Sequence, residues 1–256
     1  MIDLDAIYKL NIIRPNSKAY LNYLYDYIIS LFPTPDCFLE IGAFEASFSM
    51  RMRHSYPDSI IYAFEAGKTP YNYHRSIYDY DSQKINYLNL AISDQHGFLN
   101  YYVRKDPTTG SNGIIQRDYN VKDPNNSTEN NCADIYQVET TKLDSFLENK
   151  NLVQNTKCMW IDVEGSSKKV LTGAEKSLKN TFSILIETEE CPYWKDQWLR
   201  KDVENYLKSQ KFYPIARDFD SNESYDIIFI KENILEKIIV QNAIKNYFNM
   251  INILVN

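Results

Sequence analysis

Five carboxylates close short apolar runs: Glu40 after CFL, Glu65 after IIYAF, Asp162 and Glu164 after CMWI, and Glu187 after SILI. Such runs read as buried strands of a parallel sheet, and ligands of open α/β sheets bind beyond the carboxyl ends of the strands. Carboxylates gathered there can accept hydrogen bonds from sugar hydroxyls, take a proton as a general base, or offer hard oxygens to a divalent cation. Polarity where solvent begins accounts for any one of these acids but poorly for four strand ends together.

The loop after the first strand narrows the ligand. A dinucleotide fingerprint needs glycine at three positions so that the backbone can approach a pyrophosphate, and the matching residues here are Gly42, Phe44 and Ser47. Glu45 at the mouth of the following helix would repel a pyrophosphate, whereas a phosphate-free ligand with a cationic sulfonium meets no such penalty. S-adenosylmethionine is such a ligand, and the lost glycines disfavour a nucleotide-sugar dehydrogenase or epimerase. Glu65 follows Glu40 by 25 residues, at a strand end read as solvent-accessible, where an acid can accept from both ribose hydroxyls. Methyl transfer to a hydroxyl also requires a proton acceptor; Asp162 is the first candidate, with Glu164 and Glu187 placed to assist or to share Mg²⁺. No histidine sits beside them, so no metal ligand set is assigned. His54, His74 and His96 read as surface or packing residues, and Trp160 as filling for the sheet.

The elements that must position these groups alternate in βαβ order. Residues 5–32 form a helical lead-in broken at Pro15. Strands follow at CFLEIG, SIIYAFE, INYLNLAIS, TKCMWIDVEG and FSILIETE, with helices over EASFSMRMRHSY, from near Pro70, over SSKKVLTGAEKSLKN and over KDQWLRKDVENYLKSQ. GFLNYYV reads as an additional antiparallel strand, and Thr141 or Asp144 as the cap of a short helix. KFYPIA and SYDIIFIK make a terminal strand pair. Residues 105–134 are polar and long enough to cover a site, with Ser111, Asn112 and Gly113 as a turn facing the acceptor or only a turn. From Glu232 a long helix carries Val240, Ile244, Tyr247, Ile251 and Leu254 as an apolar seam for its own domain or for a second copy of the chain. The expected organisation is one domain: lead-in 1–35, Rossmann-like core 36–231 and C-terminal helix 232–256.

Composition excludes several classes. The 256 residues with 44% hydrophobic and 24% charged side chains are those of a globular chain, with a mean hydropathy of -0.47 and no apolar run long enough to span a membrane. A net charge of -6 and no basic cluster argue against a nucleic-acid partner. Cys37, Cys132, Cys158 and Cys191 show no CxxC spacing, which reads as reduced thiols, and the N-terminus lacks a signal-peptide pattern; the expected location is cytoplasmic.

FLEIGAFEASFS, YAFEAGKTPYN, LNLAISDQHG, VETTKLDSFLEN, WIDVEGSSKKVLTGA and ILIETE together resemble the FkbM-type S-adenosylmethionine-dependent methyltransferases from about Phe38 to Glu189. The resemblance implies a class I methyltransferase fold, seven strands with the last antiparallel, and O-methylation of a sugar or natural product. It places Glu40, Gly42 and Ala43 in the donor loop, Glu65 and Ala66 at the ribose, Ile92 and Ser93 on the donor side, and Asp162, Glu164 and Gly165 beside the reacting methyl. Four departures stand out: Phe44 for the family's Asn, Ala46 for Gly, Trp160 for Lys and Ser167 for Glu. The first two bear on the methionine pocket and the last two on the acceptor side. A rival reading is a catalytically silent Rossmann-like subunit that binds a nucleotide or a partner.

Overall fold

The computed structural model describes residues 11–104, 112–118, 121 and 134–253. Strands β1 (Cys37–Ile41), β2 (Ile60–Glu65), β3 (Ile85–Asn89), β7 (Lys157–Ile161), β8 (Thr181–Glu189), β9 (Phe212–Arg217) and β10 (Ser224–Lys231) form a seven-stranded sheet in the order β3-β2-β1-β7-β8-β10-β9. β1, β2, β3, β7 and β8 pair in parallel, while β10 runs antiparallel to both neighbours. This is the class I methyltransferase arrangement, with the last strand inserted antiparallel. The central strands are apolar because both faces are covered: β1 and β7 are buried along their whole length.

Helices α1 (Ser17–Ser30), α2 (Ser47–Ser55), α3 (Lys68–Ile77), α4 (Leu143–Asn149), α5 (Ser167–Thr172), α6 (Arg200–Ser209), α7 (Glu232–Leu235) and α8 (Ile238–Met250) flank the sheet. One core joins α1, α2 and α8 to the face carrying Phe38, Trp160, Leu185 and Ile228; the other joins α4, α5 and α6 to the face carrying Ile41, Ile161, Ile186 and Ile227. Trp160 fills the first core, its ring 5.5 Å from that of Phe48. Val240, Ile244, Tyr247 and Ile251 of the C-terminal seam are buried in that same core with Leu21, Leu24, Tyr25 and Ile28 of α1. The seam therefore faces this chain's own helix and not a second copy; Leu254 lies outside the described residues.

Several boundaries differ from the sequence reading. The lead-in is helical only from Ser17, and its first residues up to 10 lie outside the described part. INYLNLAIS divides after Asn89, and Ala91–Ile92 become β4 of a second sheet, ordered β4-β6-β5 with β5 (Gly97–Val103) and β6 (Asp134–Thr141). The terminal helix breaks between Leu235 and Ile238. Neither Thr141 nor Asp144 caps α4: Lys142 holds that position, and the Asp144 carboxylate accepts from the backbone N–H groups of Lys176 and Ser177 at 2.8 Å each. Asp144 thus caps a neighbouring 3₁₀ turn, Ser177–Asn180, an N-cap role supplied across the fold. Cys37, Cys158 and Cys191 are free thiols; Cys132 is outside the described residues. Among the described residues no helix is long and apolar enough to cross a membrane.

Candidate active site

Strand register gathers the acids. Phe64, Ile41, Ile161, Ile186 and Ile227 form one row across β2, β1, β7, β8 and β10. One step toward the carboxyl edge lie Glu65, Gly42, Asp162, Glu187 and Asp226, a row of four carboxylates interrupted by one glycine. Because side chains alternate along a strand, this row turns to the opposite face from the isoleucines, the face covered by α1 and α2. The Asp162 N–H donates to the Ile41 carbonyl at 2.9 Å, which keeps the row in step beyond the last paired residues.

A cavity of about 190 Å³ opens at this edge. Among its lining residues are Gly42 and Phe44 from the first loop, Glu65 and Ala66 from the end of β2, Ile92 from β4, and Asp162 and Glu164 after β7. The second sheet adds Tyr101, and Asn112 and Gly113 stand beside it, so part of the TGSNGI turn faces the cavity; Ser111 is outside the described residues. Gly42 is needed for this closeness. It has φ +80°, and a Cβ there would lie 1.6 Å from the Asp162 carbonyl oxygen.

The remaining sequence candidates sit behind the wall. Glu40 is buried two rows before the acidic one and accepts from the N–H groups of Phe48 and Ser49 at 3.1 and 2.7 Å, capping α2 from the strand. Ala43 is buried, its N–H on the Phe64 carbonyl. Ser93 is fully buried, and its hydroxyl accepts from Thr140 Oγ1 at 3.0 Å. Glu187 lies off the cavity wall, yet Asp162, Glu164 and Glu187 each bring one oxygen within 4.8 Å of the others, close enough to share a proton or a divalent cation. Glu65 is buried and not solvent-accessible: its oxygens take the N–H groups of Phe44 at 2.9 Å and Gly67 at 2.6 Å, so the acid also organises the loop.

Crowding of like charge in a poorly hydrated corner disfavours ionisation. Burial pushes the Glu65 carboxyl up to about 7 against the pull of the Gly67 and Phe44 N–H groups. Glu164 and Glu187 are raised well above the usual carboxylate range, first by burial and then by Asp162 and their other acidic neighbours. Arg117 and Arg104 oppose the rise at Glu164. Glu189, two residues beyond Glu187, is pushed up to about 8 for the same reasons.

Sequence reasoning misses Lys18, Asp226 and Tyr101, because each reaches the site from an element whose place relative to the core depends on long-range packing. Phe44 and Ala46, two of the departures, both occupy the left-handed region, at φ 46° and 59°. There a side chain strains where glycine does not. The Phe44 ring packs edge-on to His74 of α3 at 4.5 Å while Phe44 also lines the cavity.

A model of the methyltransferase FkbM domain matches residues 36–214. The chain belongs to the FkbM methyltransferase family. A curated relative, the 2-O-methyltransferase NoeI of Sinorhizobium fredii (strain NBRC 101917 / NGR234), is 24% identical over 190 residues, covering 71% of this chain and 75% of that protein. Among solved structures, magnesium protoporphyrin IX methyltransferase from Synechocystis PCC 6803 with bound SAM aligns with TM-score 0.45 and 8% identity over 85% of this chain and 80% of that one. Precorrin-6y C5,15-methyltransferase from Geobacter metallireducens GS-15 aligns with TM-score 0.43 and 10% identity over 84% and 87%. Membership in the FkbM family makes the chain a methyltransferase, and disfavours the silent-subunit reading.

Proposed function

We propose that this FkbM methyltransferase moves the methyl group of S-adenosylmethionine to a hydroxyl of a small polar acceptor, a sugar hydroxyl in glycan or natural-product assembly, and that residues 1–256 act as one domain. The observation that carries the reading is the row Glu65, Gly42, Asp162, Glu187, which puts a ribose acceptor, an open backbone notch and a proton acceptor side by side along one sheet edge. The choice of oxygen is supported by the relative whose name specifies 2-O-methylation, and the sugar by the sequence resemblance.

The residues present fit the donor. Gly42 leaves a notch that a Cβ would fill, Glu65 retains lone pairs beyond its two backbone partners, and Phe64, Ala66, Ile92 and Ile114 give the cavity apolar walls. When bound, the donor supplies an electrophilic methyl on a cationic sulfonium. The chain's own tasks are alignment and proton removal. Glu65 and the Gly42 loop hold the donor; Asp162, on the cavity wall, takes the hydroxyl proton; Glu164 and Glu187 set the charge around it. Glu40, Ala43 and Ser93 act behind the wall, keeping α2, the first loop and β4 in place.

Thermal shift and turnover test the reading. S-adenosylhomocysteine at 100 Kd should stabilise by about 2.7 kcal/mol, and NAD at millimolar concentration should not. Asp162→Asn keeps the shape and loses the base, so kcat on an identified acceptor should fall roughly 10² to 10⁴-fold with donor affinity little changed. A shift with NAD alone would overturn the donor assignment. Activity surviving Asp162→Asn would move the base to Glu164 or Glu187, and loss in EDTA with recovery on Mg²⁺ would make Asp162 a metal ligand.

A further inference from the structure

The row of acids does not end at Glu187. Asp226 of β10 stands directly opposite Glu187 of β8 in an antiparallel pair, and Asp226 is fully buried. Like charges directly opposite one another destabilise a sheet, so this pair needs a counter-charge. It comes from outside the segment that the family model matches: Lys18, in the first turn of α1, places its Nζ 3.1 Å from Asp226 Oδ2.

The approach is built in. Ser17 donates both its N–H and its hydroxyl to Asp220 Oδ1 at 2.8 Å, its hydroxyl accepts from the Phe219 N–H at 2.6 Å, and the Arg14 N–H donates to the Phe219 carbonyl at 2.7 Å. These bonds pin the start of α1 to the loop between β9 and β10 at the carboxyl edge of the sheet. The Lys18 side chain is 40% exposed and Asp226 is fully buried, so the lysine reaches from the surface to the end of the acidic row.

We propose that Lys18 is a positioning residue of the acceptor site, its ammonium counterbalancing the carboxylates of Asp226, Glu187 and Asp162 so that the acidic row stays ordered beside the transferring methyl. The proposal rests on the reading that this row serves the acceptor. Burial alone would lower the Lys18 proton affinity, but the pull of Asp226, then Asp162 and Glu187, outweighs it and holds the lysine above its usual range. The charged groups that face the ammonium are Asp226 on β10, Glu187 on β8, Asp162 after β7 and Asp218 after β9; Lys18 lowers the proton affinity of Asp226 and of Asp218 in return.

The test follows the carboxyl groups themselves in the full chain, by ¹³C NMR pH titration with side-chain-labelled Asp and Glu. Signals are assigned through Asp226→Asn, Glu187→Gln and Asp162→Asn. Lys18→Met should raise the Asp226 and Glu187 midpoints by about one pH unit or more, and Lys18→Arg should leave them within a few tenths of wild type. Lys18→Gln replaces the methionine variant if that one does not fold. A variant without the charge that titrates like wild type, even with a lowered Tm, would overturn the proposal and leave Lys18 as a staple of α1. S-adenosylhomocysteine calorimetry on the same proteins keeps the two readings apart: binding should match wild type, and a wild-type protein that binds none would refute the donor assignment while leaving the titration to decide Lys18.

Discussion

Glu65 does two jobs with one carboxylate. Its oxygens hold the Phe44 and Gly67 N–H groups, and it also lines the cavity proposed for the donor. Removing it therefore cannot leave the loop untouched, as an exposed strand-end acid would. Glu65→Ala should weaken S-adenosylhomocysteine binding by on the order of 1.5 to 3 kcal/mol and also lower the Tm, since two donors lose their acceptor. Glu65→Gln, which keeps one acceptor oxygen, should recover more of the stability than of the affinity. Calorimetry and thermal melts on both variants check this; equal, wild-type affinity in both would mean that the ribose lies elsewhere. Sequence singles out the residue as a candidate, because it closes a second apolar run 25 residues after Glu40. The double role is hidden, because it depends on where the loop carrying Phe44 folds back.

Elements are legible wherever burial is uniform. β1, β2, β7 and β8 show as apolar runs because both faces are covered, and β10 follows the same rule. β6 escapes a reading by pattern, because DIYQVETT covers only one small sheet and carries few apolar residues. Register is only partly in reach: the order of strand ends sets Glu187 near Asp162, but nothing local says that Asp226 stands opposite Glu187 and extends the acidic row of the candidate site. Gly42 exposes the consequence. Gly42→Ala forces a Cβ against the Asp162 carbonyl at φ +80°, a clash of backbone with backbone, and should cost more than about 3 kcal/mol or prevent folding. Gly97 is the control. It has φ +107° but nothing within 4 Å, so Gly97→Ala should cost only conformational strain, roughly 1 kcal/mol, and leave S-adenosylhomocysteine binding intact. Denaturant unfolding of the two variants, which differ in crowding and not in the sign of φ, separates close approach from strain.

The molecule as a whole carries an acidic site inside an acidic protein, and this gives its stability an unusual dependence on pH. Burial pushes Glu40, Glu65 and Asp226 up to about 7 and Glu189 to about 8, and raises Glu164 and Glu187 as well. In the unfolded chain these groups titrate near 4. Between that value and about 7 to 8 the folded state therefore holds more protons than the unfolded one, so stability falls as pH rises through this window and levels off above it. Below the window the opposite group takes over: Asp36, lowered by its bonds to Thr156, contributes stability that is lost as the solution is acidified through its own range. The ligand-free protein should thus melt highest near pH 4 and lose on the order of a few kcal/mol by pH 8, since a tenfold difference in proton affinity between the folded and unfolded states is worth about 1.4 kcal/mol and neighbouring acids that titrate together add less than their sum. Donor binding should run the other way. Carboxylates that ionise across the same window attract a sulfonium but gain little from a neutral thioether, so S-adenosylmethionine should gain affinity from pH 6 to 8 relative to S-adenosylhomocysteine. Melting curves without ligand, set against calorimetry with both ligands over that range, test the two halves separately. A flat apo Tm would remove the buried acids as the cause, and parallel pH profiles for the two ligands would place the sulfonium away from the acidic row.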